Sequence, residues 1–126
     1  MSIKYSIAEK HNPQNPQAPK KYYAVTKSAG EVSLKQLSKD ISARSTVNSS
    51  DTLAVLDSLV QQLVKELEEG RIVRLGDFGS FQISISSEGA ESADKFNSTL
   101  IKKGKILFRP GVDLKNMLAT LHYTKV

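Results

Sequence analysis

Gly70-Arg71-Ile72-Val73-Arg74-Leu75-Gly76-Asp77-Phe78-Gly79-Ser80-Phe81 is the stretch that decides how this sequence folds. Gly70 closes a run of helical periodicity and fits the left-handed residue that follows a helix end. Ile72, Val73 and Leu75 read as a short strand. Gly76 and Gly79 then frame a tight turn in which two glycines permit positive φ, with Phe78 expected to plug the core. Phe81, Ile83 and Ile85 alternate with polar residues as a second strand. Twenty-seven residues after Phe81 comes Phe108-Arg109-Pro110-Gly111. It ends a third strand that begins at Ile101 and opens a last short helix, Asp113 to about Leu121. Leu114, Met117, Leu118 and Leu121 form that helix's apolar side.

Upstream, Ser33-Leu34-Lys35-Gln36 has the capping-box pattern and starts a helix whose Leu34, Leu37 and Ile41 share a face. Thr46 to Asp51 is a turn rich in N-cap candidates. A longer helix follows to about Glu69. Its stripe of Leu53, Leu56, Leu59, Val60, Leu63, Val64 and Leu67 is wider than one small helix partner needs. Burial against a second subunit or against a sheet both fit that width. Before Gly30, Ile3-Tyr5-Ile7 and Tyr22-Tyr23-Ala24-Val25-Thr26 read as the strands of a hairpin. Its long polar tip holds three prolines. Residues 86–99 are polar and mixed, with Ser92 placed to cap one helical turn through Phe96.

Composition narrows the function classes. A chain of 126 residues holds one domain with room for a small appendage. It has no cysteine and two histidines, which removes disulfides, thiolate chemistry and cysteine or histidine metal clusters. Asp40, Asp51 and Asp57 lack ligand spacing. The serines have no histidine or lysine placed to activate them. No secretory or transmembrane segment is visible. These readings predict no enzyme, no cofactor, no metal, no small-molecule substrate, no membrane partner and a cytoplasmic place. The net charge of +5 is uneven. Residues 1–50 carry eight basic and three acidic side chains, residues 51–69 one and five, and residues 70–126 nine and five. An acidic helix between two basic segments allows a basic face, the footprint of a polyanion binder.

The order is hairpin, two helices, two strands, a connection, a strand and a helix. From Ser33 to Leu121 it resembles the HU/IHF family of bacterial histone-like DNA-binding proteins. The likeness rests on the two helices, on Gly70 with Val73 to Phe81, and on Phe108-Arg109-Pro110-Gly111. Gly76, Phe78, Gly79, Phe81, Phe108, Pro110 and Gly111 are the structural turn residues. The N-terminal hairpin with Lys21-Tyr22-Tyr23 looks like the variant HU-related group that carries such an extension. The resemblance implies an α+β fold: two N-terminal helices, a three-stranded antiparallel sheet with a modified arm, and a short C-terminal helix. It divides the chain into a hairpin extension over 1–30 and an HU/IHF-like domain over 31–126. It also implies an intertwined homodimer whose saddle of strands sits on duplex DNA, and a nucleoid location.

The residue chemistry agrees in part. Lys103, Lys105 and Arg109 alternate on one face of the third strand, a rail for phosphates or a guard against edge aggregation. Lys102 points the other way. Of Arg71 and Arg74, Arg74 lies nearer the glycine turn and is the better DNA candidate, against a salt bridge to Glu68 or Glu69. Asp113 is placed to cap the last helix. Lys20 and Lys21 are further DNA candidates. The family's β-arms carry an Arg-Asn-Pro wedge. Here residues 86–99 hold Glu88, Glu91 and Asp94 against Lys95, and no proline lies between residues 20 and 109. DNA contact then falls on the body, with reduced arm-driven bending. Asn12-Pro13-Gln14 and Asn15-Pro16-Gln17 are either a displaced wedge or a solvent loop. The alternative to sequence-independent, architectural binding of double-stranded DNA is a protein-interaction module that retains the fold.

Overall fold

The computed structural model describes residues 1–126. Its elements are β1 (Ile3–Lys10), β2 (Lys21–Lys27), α1 (Leu34–Ala43), α2 (Ser49–Glu68), β3 (Val73–Arg74), β4 (Gly79–Ser87), β5 (Ile101–Pro110), α3 (Val112–Ala119) and β6 (Tyr123–Lys125). Short 3-10 turns occupy Gly76–Phe78, Ala93–Lys95 and Ser98–Leu100. The class is α+β, with three helices and two small sheets. Two compact units are built from Met1–Ser33 with Met117–Val126, and from Leu34–Asn116.

In the first unit the strand order is β2-β1-β6. β1 and β2 form the expected antiparallel hairpin, from Lys4 opposite Lys27 to Lys10 opposite Lys21. Its tip is two successive turns, closed by Asn15 N–H to Asn12 O at 3.1 Å and Ala18 N–H to Asn15 O at 3.0 Å. Each Asn-Pro-Gln triplet therefore supplies one turn, with proline at the second position, where its fixed φ is wanted. The third strand was not expected from the sequence. β6 runs parallel to β1, setting Ile3 opposite Tyr123 and Tyr5 opposite Lys125. Ile3 N–H donates to His122 O at 2.7 Å and Val126 N–H to Tyr5 O at 2.9 Å. The last helix ends at Ala119 rather than Leu121, because the chain must extend to reach β1.

The second unit holds α1 and α2 and the antiparallel sheet β3-β4-β5. Asn48 caps α2: its side chain accepts from Asp51 N–H at 2.8 Å and returns a bond to the Asp51 carboxylate at 3.0 Å. The helix ends in a Schellman arrangement. Arg71 N–H reaches Glu66 O at 3.1 Å and Gly70 N–H reaches Leu67 O at 3.0 Å. Gly70 has φ of 79°, as that motif requires.

The Gly76–Gly79 turn docks on the end of β5. Gly76 and Gly79 have φ of 59° and 143°. Leu75 N–H donates to Gly79 O at 2.8 Å, and Gly111 N–H to Phe78 O at 2.9 Å. A Cβ on Gly79 would lie 2.4 Å from Arg109 O, and one on Gly111 only 2.1 Å from Asp77 O. Both glycines are there because two backbones touch. Phe78, Phe81 and Phe108 stack beside them, with ring centroids 4.9 to 6.4 Å apart.

Burial corrects one expectation. Phe78 joins the ring cluster but does not plug a core; it is 54% exposed. Of the α2 stripe, Leu53, Leu56, Leu63 and Leu67 are half-buried within the single chain and Leu59, Val60 and Val64 are exposed. Two details at helix starts also differ. α3 begins at Val112, with Lys115 N–H bonded to Gly111 O at 3.0 Å, so Asp113 lies inside the first turn instead of capping it. The turn at Ala93–Lys95 is present, but Ser92 makes no side-chain cap bond. No helix is long and apolar enough to cross a membrane.

Candidate nucleic-acid interface

The register of the β3-β4-β5 sheet sorts its side chains into two faces. Val73 lies opposite Phe81 and Phe81 opposite Phe108; Ile83 lies opposite Ile106 and Ile85 opposite Gly104. That face is apolar. The intervening positions form the other face. Arg74 lies opposite Ser80 and Ser80 opposite Arg109; Gln82 lies opposite Leu107, Ser84 opposite Lys105 and Ser86 opposite Lys103. Because successive side chains of a strand point to opposite sides, Arg74, Lys103, Lys105 and Arg109 share one surface.

This surface is a basic strip with hydroxyls and an amide between the cations. Arg74 and Arg109 flank Ser80 in one row across three strands. They line a shallow depression of about 340 Å³ together with Gly76, Gly79, Pro110 and Gly111. From Lys103 to Arg109 the rail is about 20 Å long at roughly 3.3 Å per residue. None of the four cations forms a salt bridge. Arg71 does, and it takes the role that would have neutralised Arg74. It sits 2.7 Å from both Glu66 and Glu69. Its hydrogen bond, then that of Gln62, holds the Glu66 carboxyl below the usual glutamate value.

The sequence reading did not place the serines and Gln82 beside the cations, as the register does. Their signal was available: Ser80, Gln82, Ser84 and Ser86 alternate with Phe81, Ile83 and Ile85. Hydroxyls and amides beside cations are ready donors to phosphate oxygens. Lys102 has no cross-strand partner. It is the extra residue of a bulge, because Ser86 lies opposite Lys103 while Ser87 lies opposite Ile101. The bulge also ends the ladder. Beyond it, residues 88–100 cross the tip through two 3-10 turns, closed by Glu88 N–H to Leu100 O at 2.9 Å. Lys95, the basic residue of that tip, is bound to Glu91 at 2.9 Å, which leaves Glu88 and Asp94 as its unpaired charges. In the other unit Lys20 and Lys21 part company. Lys21 lies opposite Lys10 on one face, and Lys20 reaches Glu9 at 3.7 Å. The chain has no group of three or more His, Asp and Glu residues that could hold a metal ion.

Comparisons with known proteins bear on the fold and the family. A crystal structure described as a "Putative bacterial DNA binding protein" from Bacteroides vulgatus ATCC 8482 superposes with a TM-score of 0.68 at 8% identity. The likeness covers 99% of this chain and 48% of that one, so the chain spans about half the length of that protein. No curated protein matches. Residues 1–125 match the sequence model of HU-HIG, described as an HU domain fused to wHTH, Ig, or glycine-rich motif. With the glycine turn, the Phe-x-Pro-Gly segment and nearly the whole length accounted for, the chain belongs to the HU-HIG family of HU-like domains.

Proposed function

We propose that this protein binds double-stranded DNA by its phosphate backbone, largely without sequence preference, as an architectural, nucleoid-associated homodimer in the cytoplasm. One observation carries the reading. The sheet register gathers Arg74, Lys103, Lys105 and Arg109, unpaired, on one face with Leu107 among them, and leaves Val73, Phe81, Ile83, Ile85, Ile106 and Phe108 on the other. Cations with neighbouring hydroxyls along an open strip suit a phosphate backbone. The N-terminal sheet is the extension that marks the variant HU-related group.

Burial supports the dimer. With Ile83, Ile85, Ile106, Val60 and Val64 all exposed, the chain alone lacks the apolar burial that drives folding. A second copy that covers the sheet's apolar face and the α2 stripe supplies it, at about 1.5–3 kcal/mol for each large side chain removed from water. Bending is weak, because the tip is acidic and carries no proline wedge.

A gel shift on a random-sequence duplex with a salt titration, run beside the mass in solution, tests the reading. The four cations of this face, about eight phosphates per homodimer, contribute about −7 to the slope of log affinity on log salt. They alone make affinity fall by roughly 10⁴ between 50 and 200 mM salt. A circularisation assay should show little bending, and replacing residues 88–100 should leave it unchanged. The acidic tip favours one other reading, a module that binds a partner protein. Absence of duplex binding at low salt selects it.

A further inference from the structure

The first unit carries a basic sheet face of its own. The β1–β2 register sets Lys4 opposite Lys27 and Lys10 opposite Lys21. Lys4 and Lys10 are six residues apart, so both pairs project from the same face. Tyr23, opposite Ala8, and Val25, opposite Ser6, lie between them. Like charges directly opposite one another weaken an antiparallel pair. Here that arrangement occurs twice on one surface.

No carboxylate of the chain relieves it. None of these four lysines forms a salt bridge. Glu9 is the one carboxylate of the two strands, and it lies on the opposite face, where it holds Lys20. The Lys10 ammonium rests 5.8 Å from the Tyr23 ring centre. Each pair also borders a concavity. One of about 860 Å³ is lined by Lys10, His11, Lys21 and Tyr23. Another, of about 430 Å³, includes Lys4, Lys27 and Ser28. Lysine pairs that cost the fold stability and face open grooves are explained by an anion seated between them.

We propose that this face is a second binding surface for duplex DNA, each lysine pair holding a backbone phosphate. The proposal rests on the DNA-binding reading above. Two features favour a duplex over a small anion. The pairs stand about 20 Å apart along β1, too far for one small anion to bridge and within the span of a duplex backbone. Tyr23 between them offers a hydroxyl to a phosphate and a ring to the lysine stems.

The test uses the full chain with Lys4→Gln, Lys10→Gln, Lys21→Gln and Lys27→Gln combined, and the two pairwise variants K4Q/K27Q and K10Q/K21Q. Binding to a random-sequence duplex is followed across a salt titration, beside an R74Q/R109Q variant of the other sheet. The expected result is a slope reduced by about 0.9 for each phosphate left without its lysine pair, roughly 3.6 per homodimer for the combined variant and half that for each pair. Affinity at low salt drops by several orders of magnitude for the combined variant. The thermal midpoint without DNA rises, because the opposed charges are gone. Unchanged slope and affinity in the lysine variants, with R74Q/R109Q impaired, overturn this inference and leave the DNA reading intact. Failure of the unmodified protein to bind duplex at low salt overturns both. Binding to vesicles of anionic lipid in place of duplex gives the face to a membrane surface and also refutes the proposal.

Discussion

Gly111→Ala should be the most damaging single-methyl change in the molecule. A Cβ at Gly111 would lie 2.1 Å from Asp77 O, 2.5 Å from Asp77 C and 2.9 Å from Gly79 N. All three are backbone atoms, so no side chain can rotate out of the way. Relief requires the Gly76–Phe78 turn to move off β5 by more than an ångström. That movement stretches the Gly111 N–H to Phe78 O bond, now 2.9 Å. Overpacking of this kind costs about 1–3 kcal/mol and the broken hydrogen bond about 1 kcal/mol. The sum of about 3 kcal/mol lowers the melting temperature by roughly 12 °C for a domain of this size. Gly89→Ala is the control, since a Cβ there meets nothing within 4 Å. Thermal denaturation followed by circular dichroism on the pair of variants reads the difference. If Gly111→Ala melts within about 2 °C of the parent, the close backbone approach is not what fixes glycine at this position, and the account of the turn is wrong.

Further expectations concern the helices and their charges. Val60→Asp alters a side chain that is 53% exposed in the single chain, where a surface change stays within about 0.5 kcal/mol. If a second copy covers α2, it should dissociate or unfold the protein; light scattering coupled to a melt decides. Asn48→Ala removes both bonds of the α2 cap and should cost about 1 kcal/mol, read as a lower denaturation midpoint at constant m-value. Arg71→Gln should return Glu66 toward its ordinary pKa of 4.5, because the Arg71 hydrogen bond is the leading cause of its depression. With the folded value lowered, the stabilising contribution is present above about pH 4.5 and fades as pH falls through the folded pKa. Carbon-13 NMR titration of the carboxyl in both proteins should show that shift, and no difference would contradict the pairing.

The parts of the molecule legible in the sequence were those fixed by local chemistry. Gly70, Gly76 and Gly79 announce positive φ because no other residue adopts it without strain. The alternation of Lys103, Lys105 and Arg109 announces one face, and the register extends it to Arg74 across two strands. What was not legible depends on distant partners. Tyr123-Thr124-Lys125 is too short to declare itself a strand; it is one only because β1 lies beside it. The opposed lysine pairs were equally hidden, since Lys4 and Lys27 become neighbours only once the hairpin length is known. Phe78 looked like a core residue because a ring after a glycine turn usually is one. In the single chain it remains open to solvent.

The parallel pairing of β1 with β6 sets an order of events during synthesis. β1 leaves the ribosome before the other elements, yet its outer hydrogen-bonding edge stays vacant until Tyr123–Lys125 has been made. The bond between Thr124 Oγ1 and Ser2 Oγ, at 2.8 Å, joins residues 122 positions apart. Closure of that length makes the N-terminal sheet the slow step relative to the helical pair α1–α2. Until it closes, a nascent chain presents a bare strand edge beside a lysine-rich face. Those lysines discourage the edge-to-edge association that such a strand invites.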